Sequence, residues 1–329
     1  MRILVTGSSG FVGAAVVRYL VSRGADVRVM LRASSSTANI DGLAVERVTG
    51  DLLDAESLAA AVAGCDSLYH VAADYRLWVR DPTVLYRTNV DGSINLMRAA
   101  LAKKVRRVVY TSSVATLGLH ADGTPANENS PVDLRDMVGH YKRSKYLAEQ
   151  AVQELIRDEG LPAVIVNPST PLGPGDVKPT PTGQMVVDAM NGRIPAYVDT
   201  GMNLVHVDDV AAGHVLAFER GKIGERYILG SENLTLKDIL RSIAEITGGR
   251  PPLFRIPHAV AMLMAYVNEG AVRAVGKGTP RVSIDSVKMS RKKMFFACDK
   301  AKDELGFEPR PAMDALRDAI DWFDSHDMK

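Results

Sequence analysis

The sequence predicts an α/β fold, a doubly wound parallel sheet carrying a smaller C-terminal domain. Three observations predict it. A short apolar run, Arg2 to Thr6, leads through TGSSGFVG into a helix-like stretch from Phe11 to Arg23. Strand-length apolar runs then alternate with helix-length segments as far as Thr111, and repeated βα units of that size build a parallel sheet with helices on both faces. After about Asn167 the text changes: Pro168, Pro171, Pro174, Pro179 and Pro181 stand among Gly173, Gly175 and Gly183, and helical segments follow. That change marks a stiff, turn-rich stretch and a second unit. The expected division is 1–167 plus about 202–230 for the large domain, and about 168–201 plus 231–329 for the small one.

Each element carries its own reason. Gly7 allows a tight turn after the first strand, Gly10 lets backbone amides approach a pyrophosphate, and Gly13 lets the helix pack close to the sheet. Phe11 and Val12 open that helix, whose free amides then face the anion. A second strand, Val27 to Leu31, ends on Leu31 and Arg32 with Ser34, Ser35 and Ser36 beyond. A carboxylate there would hold ribose hydroxyls and repel a 2′-phosphate, whereas an arginine holds it, so NADP is expected rather than NAD. The alternation continues with strand Ala44 to Val48, helix Asp54 to Ala63, strand Ser67 to Val71, helix Pro82 to Lys103 and strand Arg106 to Thr111. Right-handed crossovers put ligands at the carboxyl ends of these strands. Asp51 and Leu52 fall at one such end, facing an adenine. Ala72 and Ala73 fall at another, small enough for a cofactor to approach backbone. Tyr75, Arg76 and Trp78 follow toward the substrate space, and Thr111, Ser112 and Ser113 end the fifth strand.

The stretch GHYKRSKYLAEQ, Gly139 to Gln150, places the Tyr141 phenol and the Lys145 ammonium four residues apart, on one face of a helix. A tyrosine that moves protons near neutral pH needs its pKa, about 10, brought down, a task of roughly 4 kcal/mol that a neighbouring cation can perform.

Composition narrows the classes. The chain has 329 residues, 46% hydrophobic and 24% charged, with net charge +1. Neither nucleic acid nor an acidic membrane is predicted as a partner from overall charge. Cys65 and Cys298 offer neither a disulfide framework nor a zinc cluster, and no His, Cys and carboxylate set has metal-ligand spacing. With a strand beginning at Arg2, a cytoplasmic protein without a leader is expected. The apolar run Ala259 to Val267 is half a membrane span. It reads as a core helix, or else as a face turned to a membrane or a greasy substrate. His70, ending a strand, reads as a satisfied core histidine.

With TGSSGFVG, GDL (Gly50 to Leu52), VAA (Val71 to Ala73), NVDGSINL (Asn89 to Leu96), TSSVATLG (Thr111 to Gly118), YKRSK (Tyr141 to Lys145) and HVDDVAAGH (His206 to His214) in this order, the chain resembles the extended short-chain dehydrogenase/reductases over essentially its whole length. The resemblance implies a Rossmann sheet and a catalytic Ser113, Tyr141 and Lys145. Ser113 would hold the substrate oxygen and Tyr141 would exchange its proton. Lys145 would lower the tyrosine pKa and bind the nicotinamide ribose. It also puts Tyr141, Lys145 and Pro168 against the cofactor, and it implies a homodimer built on two helices, Pro82 to Lys103 and Gly139 to Asp158.

Within the group, RVMLR and GDL look similar to the dihydroflavonol-reductase-like branch, which uses NADPH. ADYRLW (Ala73 to Trp78), VNPSTPLGPGDVKPTPTG and PAYVDTGMNLVHVDDVA look like the bacterial hopanoid-associated sugar epimerases. The partner implied is a small molecule: a sugar, a nucleotide-sugar or a hopanoid-linked polyol. Asn167, His206 and Arg281 are then further substrate candidates, Asn167 by analogy with a diphosphate contact of UDP-galactose epimerases. Dehydratases of the group carry an Asp-Glu pair after the catalytic hydroxyl. Here Val114 and Ala115 stand instead, and neither can move a proton. A sugar epimerase is the leading expectation, an NADPH-dependent carbonyl reductase the alternative, and a non-catalytic cofactor sensor the reading from another class.

Overall fold

The computed structural model describes residues 1–328. Twelve strands run in chain order as β1 (Arg2–Thr6), β2 (Asp26–Leu31), β3 (Glu46–Thr49), β4 (Ser67–His70), β5 (Arg107–Thr111), β6 (Ala163–Pro168), β7 (Thr170–Leu172), β8 (Ala196–Tyr197), β9 (Gly201–His206), β10 (Arg226–Leu229), β11 (Glu232–Thr235) and β12 (Phe254–Arg255). The helices are α1 (Phe11–Ser22), α2 (Ala55–Val62), α3 (Thr83–Tyr86), α4 (Gly92–Ala102), α5 (Gly139–Glu159), α6 (Pro181–Met190), α7 (Val207–Arg220), α8 (Leu236–Thr247), α9 (His258–Val275), α10 (Ile284–Met289), α11 (Asp299–Leu305) and α12 (Ala312–Ser325).

Seven strands form one sheet in the order β10-β6-β5-β4-β1-β2-β3, every pair parallel. The order reverses at β1, so the crevice between the ends of β1 and β4 is the switch point where ligands of such sheets sit. Strands such as β6, AVIVNP, are buried along their whole length, as covering both faces requires. One core layer joins α1, α7 and α11 to the sheet, and the other joins α2, α4 and α5. The third strand, expected at Ala44 to Val48, starts two residues later and ends one later, as an edge strand with a mostly exposed pattern.

The second unit has its own core. Strands β7, β9 and β11 make a small sheet, packed with α6, α8 and α12 around Leu172, Leu204, Ile243, Leu316 and Phe323. The chain returns to the large sheet through α7 and β10.

The expectation of a core helix at Ala259 to Val267 is corrected. Helix α9 spans this run, yet buries only Ala261, Ala265 and Glu269. Leu263, Met264, Tyr266 and Val267 all face outward. No helix among the described residues is long and apolar enough to cross a membrane.

His70 is fully enclosed. One ring nitrogen meets Thr6 Oγ1 at 2.8 Å and the other meets Ser93 Oγ at 3.0 Å. His214 is likewise buried between Thr111 Oγ1 and the Val210 carbonyl. Burial pushes them down, His70 to about 3 and His214 to about 4. Their folded values lie below the unfolded one, so the stability held by their neutral rings is full above pH 6.5 and lost as pH falls. Between pH 7 and 5 each unfolded imidazole takes up a proton that its folded counterpart refuses, costing about 2 kcal/mol per histidine. Urea unfolding at the two pH values checks this, and a His70→Gln variant should show a visibly flatter pH dependence than the parent.

Candidate active site

The glycine loop sits where β1 meets α1. Gly7 adopts φ +69°, and a Cβ there would lie 2.6 Å from the Ala72 backbone nitrogen. A side chain at Gly13 would drive into the Gly7 carbonyl. Gly10 precedes α1 without any side-chain cap, so the first amides of the helix keep no internal acceptor. Ser8, fully buried in the same loop, has a hydroxyl with no partner. A cradle that only glycine fits, free amides and an orphaned hydroxyl together fit the pyrophosphate of a dinucleotide. Ala72 and Ala73 leave the end of β4 directly opposite, both half-buried.

The remaining cofactor candidates flank this cradle. Arg32 is exposed, and its backbone exchanges hydrogen bonds with Ser35 at 3.1 and 2.9 Å while its guanidinium has no protein partner among the described residues. Asp51 is exposed and receives the Leu53 amide at 2.9 Å, while Leu52 is buried against Gly92. Phe11 is buried and Val12 half-buried in the first turn of α1. Pro168 closes β6 and is buried.

Helix α5 brings the reactive side chains to the neighbouring strand end. Lys145, Glu149 and Val152 follow one another on its buried side, at the spacing that keeps residues on one face. Tyr141, one turn earlier, is half-buried. Ser113, half-buried just past β5, caps the short turn Val114–Thr116 by accepting the Ala115 amide at 3.1 Å. Its hydroxyl also acts on the Tyr141 phenol, pulling its pKa down. Ser112 is buried with its hydroxyl unpartnered, so Ser113 is the hydroxyl that meets the phenol.

The expected effect of Lys145 on Tyr141 is corrected. Burial pushes the Tyr141 phenol up, and the Ser113 hydroxyl opposes the shift. The Lys145 ammonium is turned to the Thr111 carbonyl at 2.9 Å and lies 5.2 Å from the Tyr110 ring centre. Burial lowers Lys145 to about 8, with Glu149 opposing. At neutral pH the site therefore holds a protonated phenol beside a cation, a state suited to giving a proton away.

Glu149 holds this geometry and Lys142 stands beside it, and sequence reasoning assigned neither a role. Glu149 is buried, and its carboxylate accepts from Thr116 Oγ1 and Asn167 Nδ2 at 2.9 Å each and from Arg226 Nη1 at 3.2 Å. Asn167 in turn donates to the Ser113 carbonyl at 3.0 Å, and Thr116 Oγ1, with one proton to share between this carbonyl and Glu149, lies 2.8 Å from it. The signal for Glu149 was its place one turn beyond Lys145 on the same face. Lys142 is buried too, with Lys292 nearby, and burial lowers it to about 8; only its position beside Tyr141 could have singled it out. Asn89 anchors backbone from a π-helical turn, Arg87–Asp91. It pairs with the Asp74 backbone at 2.7 and 3.0 Å and donates to Ser144 Oγ at 2.9 Å, which donates to the Tyr141 carbonyl.

The substrate candidates divide. Tyr75 is exposed, and Arg76 is paired with Asp74. Trp78 lines a cleft of about 620 Å³ with Leu85, His140, Glu269 and Asp285. Asn167 is fully buried: its amide nitrogen is spent on Ser113, Thr116 and Glu149, while its carbonyl oxygen has no partner among the described residues. His206 is also fully buried. Its ring receives the Asp208 amide and contacts Asp318 and Arg310, each at 3.0 Å, so it caps α7 and ties β9 to α12. Arg281 lies exposed between α9 and α10.

Comparison with known proteins gives the family. The NAD dependent epimerase/dehydratase family matches residues 3–230. A protein of Synechocystis provisionally named a dihydroflavonol 4-reductase is 44% identical over 98% of this chain and 94% of its own length. Sterol demethylase protein B of Methylococcus capsulatus is 36% identical over 98% of both chains. The crystal structure of gox2253 superimposes with a TM-score of 0.89 at 54% identity, covering 98% of both chains. A nicotinamide dinucleotide and a small-molecule substrate are thereby implied. The chain belongs to the NAD dependent epimerase/dehydratase family and is an NAD(P)-dependent enzyme of the epimerase and reductase type.

Proposed function

We propose that the protein is an NADPH-dependent reductase of apolar, ring-bearing ketones. The observation that carries this reading is the half-buried Tyr141 phenol, held protonated beside the Ser113 hydroxyl and next to a glycine cradle. The nicotinamide, when bound, supplies the hydride to the carbonyl carbon. Ser113 donates a hydrogen bond to the carbonyl oxygen and fixes its position. Tyr141 gives its proton to that oxygen as negative charge gathers on it, and Lys145, held on the Thr111 carbonyl, is proposed to bind the nicotinamide ribose. Solvent then returns a proton to Tyr141. Glu149 and Asn167 position Ser113 without touching the substrate.

The relatives favour carbonyl reduction and apolar rings, since one bears the name of a dihydroflavonol reductase and another that of a sterol-processing protein. The buried Asn167 leaves a nucleotide-sugar diphosphate without the contact that the epimerase reading assigned to it. That second reading, a sugar epimerase acting on a nucleotide-sugar or hopanoid-linked polyol, keeps the support of the family description and of a triad that needs no further acid or base. Given an apolar ketone and NADPH, the protein should form the alcohol; given UDP-glucose and NAD, it should form no UDP-galactose. The reverse pair of results sinks the reductase reading. Helices α4 and α5, which pack side by side in the large domain, are the proposed pairing face of a homodimer.

For the cofactor, the exposed Arg32 is proposed to hold the 2′-phosphate of NADP. Replacing Arg32 with Asp should raise the Michaelis constant for NADPH by about tenfold to a hundredfold, the value of one or two charge-assisted contacts, and leave that for NADH within a small factor. An unchanged preference rules this assignment out.

A further inference from the structure

We propose that α9 docks the protein on an anionic lipid bilayer, lying flat on its surface. Nine of the large hydrophobic residues exposed on the chain fall between Leu253 and Val282. On α9, Val260, Leu263, Met264 and Val267 form a stripe at the i, i+3, i+4, i+7 spacing of one helix face, and Val275 lies further along the helix. Leu263 and Val267 are 66% and 67% exposed, values that no packed core helix shows. Tyr266 adds an amphipathic ring beside them, and Leu253 and Phe254 extend the apolar surface on the segment before the helix.

The charge around the stripe selects the occupant. Residues 250–293 hold nine lysines and arginines against two acids, a balance of +7 in a chain whose total is +1. One of the two acids, Glu269, is buried and paired with Arg273, and Arg255 pairs with Asp199. Lys277, Arg281, Lys288, Arg291 and Lys292 are exposed and have no ion pair among the described residues. An apolar stripe among unpaired cations matches an interfacial helix on anionic headgroups. It disfavours a second copy, because a two-fold contact would set one such segment against its equal. Docking would also bring the mouth of the 620 Å³ cleft, one wall of which is Glu269 and Arg273 of α9, close to the lipid. There an apolar ketone concentrates. That consequence rests on the reductase reading, whereas the docking does not.

Vesicle co-sedimentation without substrate tests the proposal on the full chain. With phosphatidylcholine vesicles containing about one third phosphatidylglycerol, an anionic surface able to attract basic segments, the protein should pellet at low salt and be released by high salt. With phosphatidylcholine alone it should stay largely in solution. A Leu263→Glu/Val267→Glu variant should lose at least about tenfold in partitioning, the expected scale for removing two buried apolar groups. Its thermal melting and NADPH binding should match the parent's, which shows that it folds. A Lys288→Glu/Arg291→Glu variant should lose the preference for the anionic vesicles. The proposal is overturned if the parent ignores phosphatidylglycerol, or if the Leu263 and Val267 changes leave pelleting as it was. It is equally overturned if the parent is a dimer that these changes convert to monomer while neither form binds vesicles, since the face then belongs to a second copy.

Discussion

Replacing Tyr141 with Phe should lower kcat for ketone reduction by about 10²–10⁴-fold, the usual contribution of a positioned acid, and leave the dinucleotide dissociation constant within about a factor of 3. The change removes one oxygen. Because the aromatic ring stays and the volume is nearly conserved, the fold should keep most of its stability. The Ser113 hydroxyl keeps its bond to the Ala115 amide, so substrate positioning survives better than proton delivery. Stopped-flow turnover and fluorescence titration of NADPH separate these effects. A variant with full turnover would remove Tyr141 from the reaction.

The second large effect is expected at Glu149, which no substrate touches. Glu149→Ala strips the carboxylate from Arg226 and removes an acceptor from both Thr116 and Asn167. Breaking a buried pair by deleting one partner costs about 3–5 kcal/mol. Here the low end applies, because the Arg226 side chain is 21% exposed and also reaches the Glu128 carbonyl. Urea unfolding should register that loss. Activity should fall through kcat rather than KM, since Asn167 and Thr116 Oγ1 both meet the Ser113 carbonyl. Glu149→Gln keeps an oxygen for these two donors and should recover part of kcat while remaining less stable than the parent. Equal stability and equal kcat in Glu149→Ala would remove it as a positioning residue.

The parts of this site that were legible in the sequence are those set by local periodicity and chain order. Tyr141 and Lys145 share a helix face by spacing alone, and Ser113 follows a strand whose end the βα alternation marks. The glycine loop was readable because the αL turn at Gly7 and the close packing at Gly13 exclude side chains. What sequence order does not carry is the direction of a side chain at a strand end. Asn167 and His206 both stand at such ends, yet both turn inward and are consumed by partners far along the chain. Glu149 went unassigned for the same reason, since Thr116, Asn167 and Arg226 converge on it from three separate elements. Helix spacing predicts a cation acting on Tyr141 but says nothing of the Thr111 carbonyl that takes the ammonium. For α9, helical periodicity reveals an apolar side but cannot tell whether protein covers it.

Carbonyl reduction with net use of NADPH is the central claim, and hydride bookkeeping tests it most directly. The purified protein is mixed with an apolar ring ketone and NADPH carrying deuterium at the transferred position. The reading predicts one alcohol formed per NADPH oxidised, with deuterium at the carbinol carbon and both signals lost in Tyr141→Phe. A protein that retains an oxidised dinucleotide through purification, and inverts a sugar carbinol with no net change in NADPH, would contradict it.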